Sequence, residues 1–263
     1  MCIRDSIYGL GWGVAGSAAG TVVVQWAMAA VYVVIAVRAA RASGAPLRPG
    51  ASGVVRALRS GAWLFLRTAS LRVAMLATIA AATGLGTIGL ATTQIGLTVF
   101  STLAFALDAL AIAGQALVGH ALGARDADRV RLVTGRLVVL GLAGGVLLGA
   151  LTLAASGLLG PVFSDSDEVR SALPLVLVLI AAGLPIAGYV FVLDGVLIGA
   201  GDARYLALVG VVNLVVYLPL LWWLGDGLAG LWAVFSFGYI GVRAVTLGVR
   251  AHRPGWIAVA MAR

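Results

Sequence analysis

The sequence predicts an all-α, polytopic membrane protein with about seven transmembrane helices, and three observations carry that prediction. The 263 residues are 62% hydrophobic and only 11% charged, with a mean hydropathy of +1.07, whereas a soluble domain carries about 25% charged residues. Seven apolar stretches approach or exceed the roughly 20 residues that a spanning helix needs, and the alternation of a membrane β-barrel is absent. The basic residues, 18 arginines and no lysine, cluster in alternate loops, which is the charge pattern of membrane orientation.

The stretches fall at about 11–37, 66–89, 91–119, 134–156, 170–198, 205–224 and 227–249. Ahead of the first, Met1 to Ser6 is polar, lacks the basic-then-apolar order of a signal peptide, and is expected to belong to a non-native or truncated prefix over 1–10. Between the first and second, Ala39 to Arg59 contains Gly44, Pro46, Pro49, Gly50 and Gly53 and no sustained helical pattern before Val54, as expected of a linker. The segment from Gly84 to Gly89 reads GLGTIG. It matches the dinucleotide-binding pattern literally but lacks the strand and soluble βαβ context that pattern requires, so it is read as a charge-free turn between two spans. Before the fifth stretch, Asp165 and Glu168 have the spacing of a helix N-cap pair, and a divalent-cation site there is the less favoured reading. Trp63, Trp222, Trp223, Trp232 and Tyr205 lie towards helix ends and are read as interfacial aromatics.

Orientation follows from the arginines. One side collects Arg38, Arg41, Arg48, Arg56, Arg59, Arg67, Arg72, Arg125, Arg129, Arg131, Arg136, Arg204, Arg243, Arg250, Arg253 and Arg263, and the other holds Arg4 and Arg170. The Arg-rich loops are therefore expected to be cytoplasmic.

Function has to be sought inside the bundle. Asp108 has no charged neighbour between Arg72 and His120, and Asp194 none between Arg170 and Asp202. A charge at that depth is costly and is retained mainly where it faces a cavity, a partner or a transported ion. Gln94, Ser101, Asp108 and Gln115 recur every seven residues on one helix. They form a stripe drifting about 20° per heptad and reaching about 31 Å, either the lining of a cavity or a hydrogen-bonding seam. Pro174 and Pro185 precede Asp194 in its helix, the arrangement of a kinked transport helix or of a plain bend. Arg72 is read as a snorkelling side chain rather than a deep ion-pair partner, and Gln25 and Asn213 as polar residues that hydrogen-bond between helices.

Other function classes are disfavoured. The single cysteine, Cys2, excludes an intramolecular disulfide and a cysteine metal cluster, and His120 and His252 have no second ligand at metal spacing. Arginine clusters confined to loops, without aromatic or motif support, do not indicate nucleic acid. No catalytic signature is present, so the chain is read as a non-enzyme without a cofactor, driven by an ion gradient or by a partner protein.

The motifs LATTQI at 90–95, FALDALAIAGQALVG at 105–119, LGARD at 122–126 and LDGVLIGAGDAR at 193–204 resemble multidrug and toxic compound extrusion (MATE) transporters, in the branch typified by DNA-damage-inducible protein F. The resemblance implies a transporter of two six-helix lobes in the plasma membrane, exporting hydrophobic or cationic small molecules in exchange for H+ or Na+. On that scheme residues 11–38 are the last helix of an incomplete N-lobe, 39–60 a cytoplasmic inter-lobe linker, 61–250 a six-helix C-lobe and 251–263 a cytoplasmic tail. The rest of the N-lobe, with its coupling aspartate, is then the missing partner. Asp108, Asp194, Gln94, Ser101, Gln115 and Asn213 are nominated for the substrate and ion pathway. A flippase for lipid-linked oligosaccharides is the alternative transporter and is expected to line its cavity with several cations, but no arginine stands securely at mid-depth in this reading. An inactive half-transporter or scaffold is the alternative outside transport.

Overall fold

The structure, a computed structural model, describes residues 13–42, 44, 50–253 and 255–261. The prefix, Cys2, Arg4, Arg48, Pro46, Pro49 and the end of the tail lie outside the described residues. No strand occurs among those described. The helices are α1 (Gly13–Ala42), α2 (Ala51–Thr83), α3 (Gly86–Gly123), α4 (Ala127–Phe163), α5 (Asp167–Gly199), α6 (Ala203–Leu224), α7 (Gly227–Ala233), a π-helical segment (Val234–Tyr239), α8 (Ile240–His252) and α9 (Gly255–Met261). Seven helical segments are long and apolar enough to cross a membrane, the last of them Gly227–His252, which runs through α7, the π segment and α8.

Residues 1–58 and 59–263 form two compact units. In the first, α1 presents Val23, Trp26 and Tyr32 as exposed side chains, and Gln25 is exposed as well. The second unit is organised around α5, which packs most extensively on α3 and α4 and also meets α6, α7 and α8. Leu177, Leu184, Leu193 and Leu197 of α5 are fully buried with Trp232, Phe235 and Tyr217.

Small residues make that packing possible. A Cβ on Gly141 of α4 would stand 2.7 Å from the Gly188 carbonyl oxygen of α5, and one on Gly145 would stand 2.4 Å from that of Leu184. On the opposite side of α5, a Cβ on Gly195 would stand 2.2 Å from the Ala111 carbonyl oxygen of α3. Close backbone approach at small residues is how helices gain dispersion energy in lipid, where burial from water supplies no drive for association.

Several boundaries differ from the sequence expectation. The expected span 66–89 is the helix Ala51–Thr83, because the break falls at Gly84 and Leu85, where Gly86 takes φ +79° and opens α3. The turn thus lies at the start of the glycine segment, not across it. The cap of α5 is Ser166, whose hydroxyl accepts from the Val169 N–H at 3.4 Å, instead of Asp165. Asp165 and Asp167 instead pair with Arg170, at 3.6 and 3.4 Å. At the start of α4, Asp126 is the cap and accepts from the Arg129 N–H at 2.9 Å.

Candidate functional site

Four helices of the second unit contribute charge to one place. Arg67 stands near the middle of the 31-residue span that ends α2, Asp108 lies on α3, Asp194 on α5 and Arg243 on α8. The close approach of α3 at Gly195, next to Asp194, brings Ala111 against α5, and Asp108 is one turn before Ala111. Nη2 of Arg67 and Nη2 of Arg243 both donate to Oδ2 of Asp194. The three side chains are only 17%, 13% and 10% exposed, in the order Arg67, Arg243, Asp194. Desolvating any one of these charges alone would cost several kcal/mol, and the one carboxylate of Asp194 answers both guanidiniums.

The π-helical segment arranges the next layer. Phe235 and Tyr239 stack within it at 5.7 Å between ring centroids, and Phe235 meets Phe100 of α3 at 5.1 Å and Trp232 at 5.4 Å. Tyr239 also contacts Tyr217 of α6 at 5.0 Å, and the Tyr217 hydroxyl lies 2.7 Å from that of Thr78 on α2. One turn past Tyr239, the Arg243 guanidinium carbon lies 6.0 Å from the Tyr239 ring centroid, at the limit of a cation–π contact.

Two cavities open on this cluster. One, of about 290 Å³, is lined by Arg67, Arg72, Asp108, Arg243, Ser101 and an apolar wall that includes Met75, Phe100, Phe105, Phe191 and Tyr239. The other, of about 280 Å³, shares Arg67, Asp108 and Arg243 and adds Gln115 and Asp194. Asp108 lines both, is half-buried, and has no ion-pair partner among the described residues. A combination of apolar walls and a few convergent polar groups is the usual make-up of a small-molecule site.

The nominated residues divide. Asp108, Asp194, Ser101 and Gln115 meet at the two cavities. Gln94 is exposed and lines neither, and Gln115 is exposed at the edge of its cavity. The buried face of α3 includes Thr93, Phe100, Leu107 and Gly114, so each stripe residue is one step, about 100°, round the helix from a buried position. The stripe is the flank of the packed face and opens where the neighbouring helices leave space. Asn213 of α6 is 1% exposed and stands apart from both cavities, with neither amide atom hydrogen-bonded, so the expected interhelical bond is not formed among the described residues.

Arg67 and Arg243 correct the loop assignment, because both lie within spans and hold Asp194. The sequence did contain a signal for Arg67: starting the helix at the first apolar pattern, Val54, places Arg67 near its middle. Arg72 is exposed at the cavity wall without an ion-pair partner among the described residues. Trp232, read as interfacial, is fully buried in the core beside Gly96, where a Cβ would meet its ring at 2.4 Å. Tyr205 does more than mark an interface: its hydroxyl donates to the Thr246 carbonyl at 2.6 Å, and the guanidinium of Arg250 lies 5.0 Å from its ring centroid. That guanidinium grips the buried Asp202 through Nε at 2.9 Å and Nη2 at 2.7 Å.

Known proteins resemble this chain in sequence and fold. Residues 64–223, more than half of the chain, match the family model described as MatE. The Arabidopsis thaliana relative Protein DETOXIFICATION 24 is 31% identical over 143 residues, covering 51% of this chain and 28% of its own length. This chain thus spans little more than a quarter of that curated relative. A solved MATE structure in complex with MaL6 superposes with a TM-score of 0.81 at 17% identity, covering 97% of this chain and 60% of that one. The Vibrio cholerae MATE transporter VcmN in the bent form gives 0.77 at 19%, covering 99% and 59%. At such identities the structures establish the shared fold, while the family match extends from Leu64 in α2 to Trp223 in α6 and includes Arg67, Asp108 and Asp194. This chain belongs to the MATE family.

Proposed function

We infer that the chain carries the C-terminal transport cavity of a secondary antiporter that exports hydrophobic or cationic small molecules in exchange for H+ or Na+. The observation that carries the reading is Asp108, a carboxylate within a span that faces two cavities without an ion-pair partner among the described residues. Such a group can hold a proton, a metal cation or an organic cation, but only one at a time, and that competition is the coupling an antiporter requires. Phe100, Phe105, Phe191 and Tyr239 supply the apolar and aromatic wall for the rest of the substrate. An N-terminal lobe is the expected partner across the cavity, residues 39–60 its linker, and the Arg-rich loops face the cytoplasm of the cell whose plasma membrane holds the protein.

The test is ethidium efflux from proteoliposomes containing the transporter with its N-lobe, under an imposed proton or sodium gradient. Asp108→Asn keeps the shape and removes the titration, so efflux is expected to fall and its pH dependence to flatten at unchanged expression. Wild-type efflux with wild-type pH dependence in Asp108→Asn would place coupling elsewhere.

A further inference from the structure

A further cavity shares no lining residue with the two that open on Asp108. It measures about 290 Å³ and lies where the start of α4 and the end of α8 meet α5 and the short helix α9. Leu193 of α5 lines it, while the next residue, Asp194, lines a cavity of the charged cluster.

Its walls are graded. Along α4 the lining residues are Arg131, Thr134, Gly135 and Val138, the i, i+3, i+4, i+7 set of one helix face. They pass from charge to hydroxyl to hydrocarbon as the helix enters the span, and Val138 stands about 10 Å deeper than Arg131 at 1.5 Å per residue. The other walls repeat this order: His252 ends α8, whereas Leu193 lies about 9 Å inside the end of α5 at Gly199. Trp256 and Ile257 of α9 are buried against the cavity, and the Trp256 indole N–H donates to the Ala251 carbonyl at 3.0 Å, which folds α9 back onto the bundle.

The polar groups of this end are not used up by the fold. Oγ1 of Thr134 is shielded from solvent and has no hydrogen-bond partner among the described residues, a state that protein interiors avoid unless something else answers the group. Arg131 spends only Nη1, on the exposed Asp128 at 3.0 Å, and keeps most of its five N–H donors. Nδ1 of His252 donates to the Gly248 carbonyl at 2.8 Å, so Nε2 is the nitrogen left to the cavity. The Tyr189 hydroxyl fits beside α8 only because residue 248 is glycine, where a Cβ would stand 2.6 Å from it. No Asp or Glu is among the described residues of the lining. An ammonium would find no carboxylate there, whereas an anion meets a guanidinium, an imidazole and an unanswered hydroxyl. A soluble anion would use only that outer half; a phospholipid uses both halves. Basic pockets between spanning helices are suited to anionic lipid headgroups.

We propose that this cavity binds an anionic phospholipid from the leaflet at the arginine-rich end of the bundle, with its phosphate on Arg131, His252 and Thr134 and the start of an acyl chain along Val138, Leu193 and Ile257. The site lies outside the two cavities of the charged cluster and does not rest on the transport reading. A lipid seated there touches α4, α5, α8 and α9 at once, and so ties together the helices that carry Asp194 and Arg243.

The test is native mass spectrometry of the purified protein in detergent, titrated with phosphatidylglycerol, phosphatidylcholine or glycerol 1-phosphate at constant ionic strength. One phosphatidylglycerol is expected to bind about tenfold more tightly than phosphatidylcholine. Arg131→Gln is expected to lower that affinity about tenfold, the scale of one charge-assisted contact, while costing the fold only an exposed ion pair. Thr134→Val keeps the shape and removes an unbonded hydroxyl. It is expected to weaken phosphatidylglycerol about fivefold, the scale of one neutral hydrogen bond, without lowering the thermal unfolding temperature of the delipidated protein. Arg136 is exposed on the same part of α4 but outside the lining, and Arg136→Gln is expected to leave binding unchanged. Equal losses in Arg131→Gln and Arg136→Gln would mean diffuse attraction to an arginine-rich surface and would overturn the site, as would wild-type affinity in both Arg131→Gln and Thr134→Val. Phosphatidylcholine binding as tightly as phosphatidylglycerol overturns the proposal. Glycerol 1-phosphate binding as tightly as the lipid, with the same dependence on Arg131, also overturns it and makes a soluble phosphate ester the ligand.

Discussion

Asp108 and Asp194 share a local sequence, Phe-x-Leu-Asp followed four residues later by Ile, and lie on adjacent packed helices, yet their surroundings are opposite. Asp194 is buried and held by two guanidiniums, whereas Asp108 is half-buried and faces open volume without an ion pair among the described residues. The difference comes from across the bundle. Arg67 is 127 residues before Asp194 and Arg243 is 49 after it. Neighbouring residues place a carboxylate at depth, but distant helices decide whether it is a strut or a free binding group.

The strongest way to break this comparison is to remove each acid in turn. Asp194→Ala leaves two largely buried guanidiniums without their counter-charge and is expected to cost ~3–5 kcal/mol, read as a large drop in thermal unfolding temperature in detergent. An equal drop for Asp108→Ala would erase the distinction. Gly195→Val is next: its Cβ would meet the Ala111 carbonyl oxygen at 2.2 Å, so α3 and α5 must part, at a cost of ~1–3 kcal/mol in the same assay. A stability unchanged by that substitution would show that the two acids are not held together by this contact. Asp108→Asn is expected to leave stability within ~1 kcal/mol while weakening tetraphenylphosphonium binding about tenfold, the scale of one lost charged contact. The smallest effect sets the baseline. Asp128 and Arg131 pair at 3.0 Å but are 95% and 58% exposed, so Asp128→Ala is expected to change stability by no more than ~0.5 kcal/mol. A loss comparable to that of Asp194→Ala would mean that burial is not what separates strut from surface pair.

Much of the fold was legible because lipid demands long apolar segments, and the seven segments can be drawn from hydropathy alone. The two acids were legible for the same reason, since no other charged residue lies between Arg72 and His120 or between Arg170 and Asp202. What could not be read was partnership. Counting arginines assigns each to the nearest loop: Arg67 fell at an edge because the start of α2 was set too late, and Arg243 was counted with the following loop although it lies inside the expected stretch 227–249. Trp232 was misplaced because tryptophan suits both an interface and a core; the bare surface of Gly96 that receives its ring belongs to another helix. The stripe on α3 was visible as a period, but which part of it opens on a cavity depends on how far α2 and α8 extend beside it.

The π-helical segment Val234–Tyr239 makes the last span a phase-shifted screw. A wide turn holds one residue more than an α-turn would, and each residue of an α-helix advances the side-chain azimuth by about 100°. Deleting one residue from this segment, Phe237 for example, would let the span wind as continuous α-helix and swing everything after it by roughly a quarter-turn. Arg243 would then rotate off Asp194 and Arg250 off Asp202 in a single step, although neither pair contains the deleted residue. The surplus residue therefore sets the angular register of both ion pairs, and a length change here acts as a dial on sites about one and three turns away.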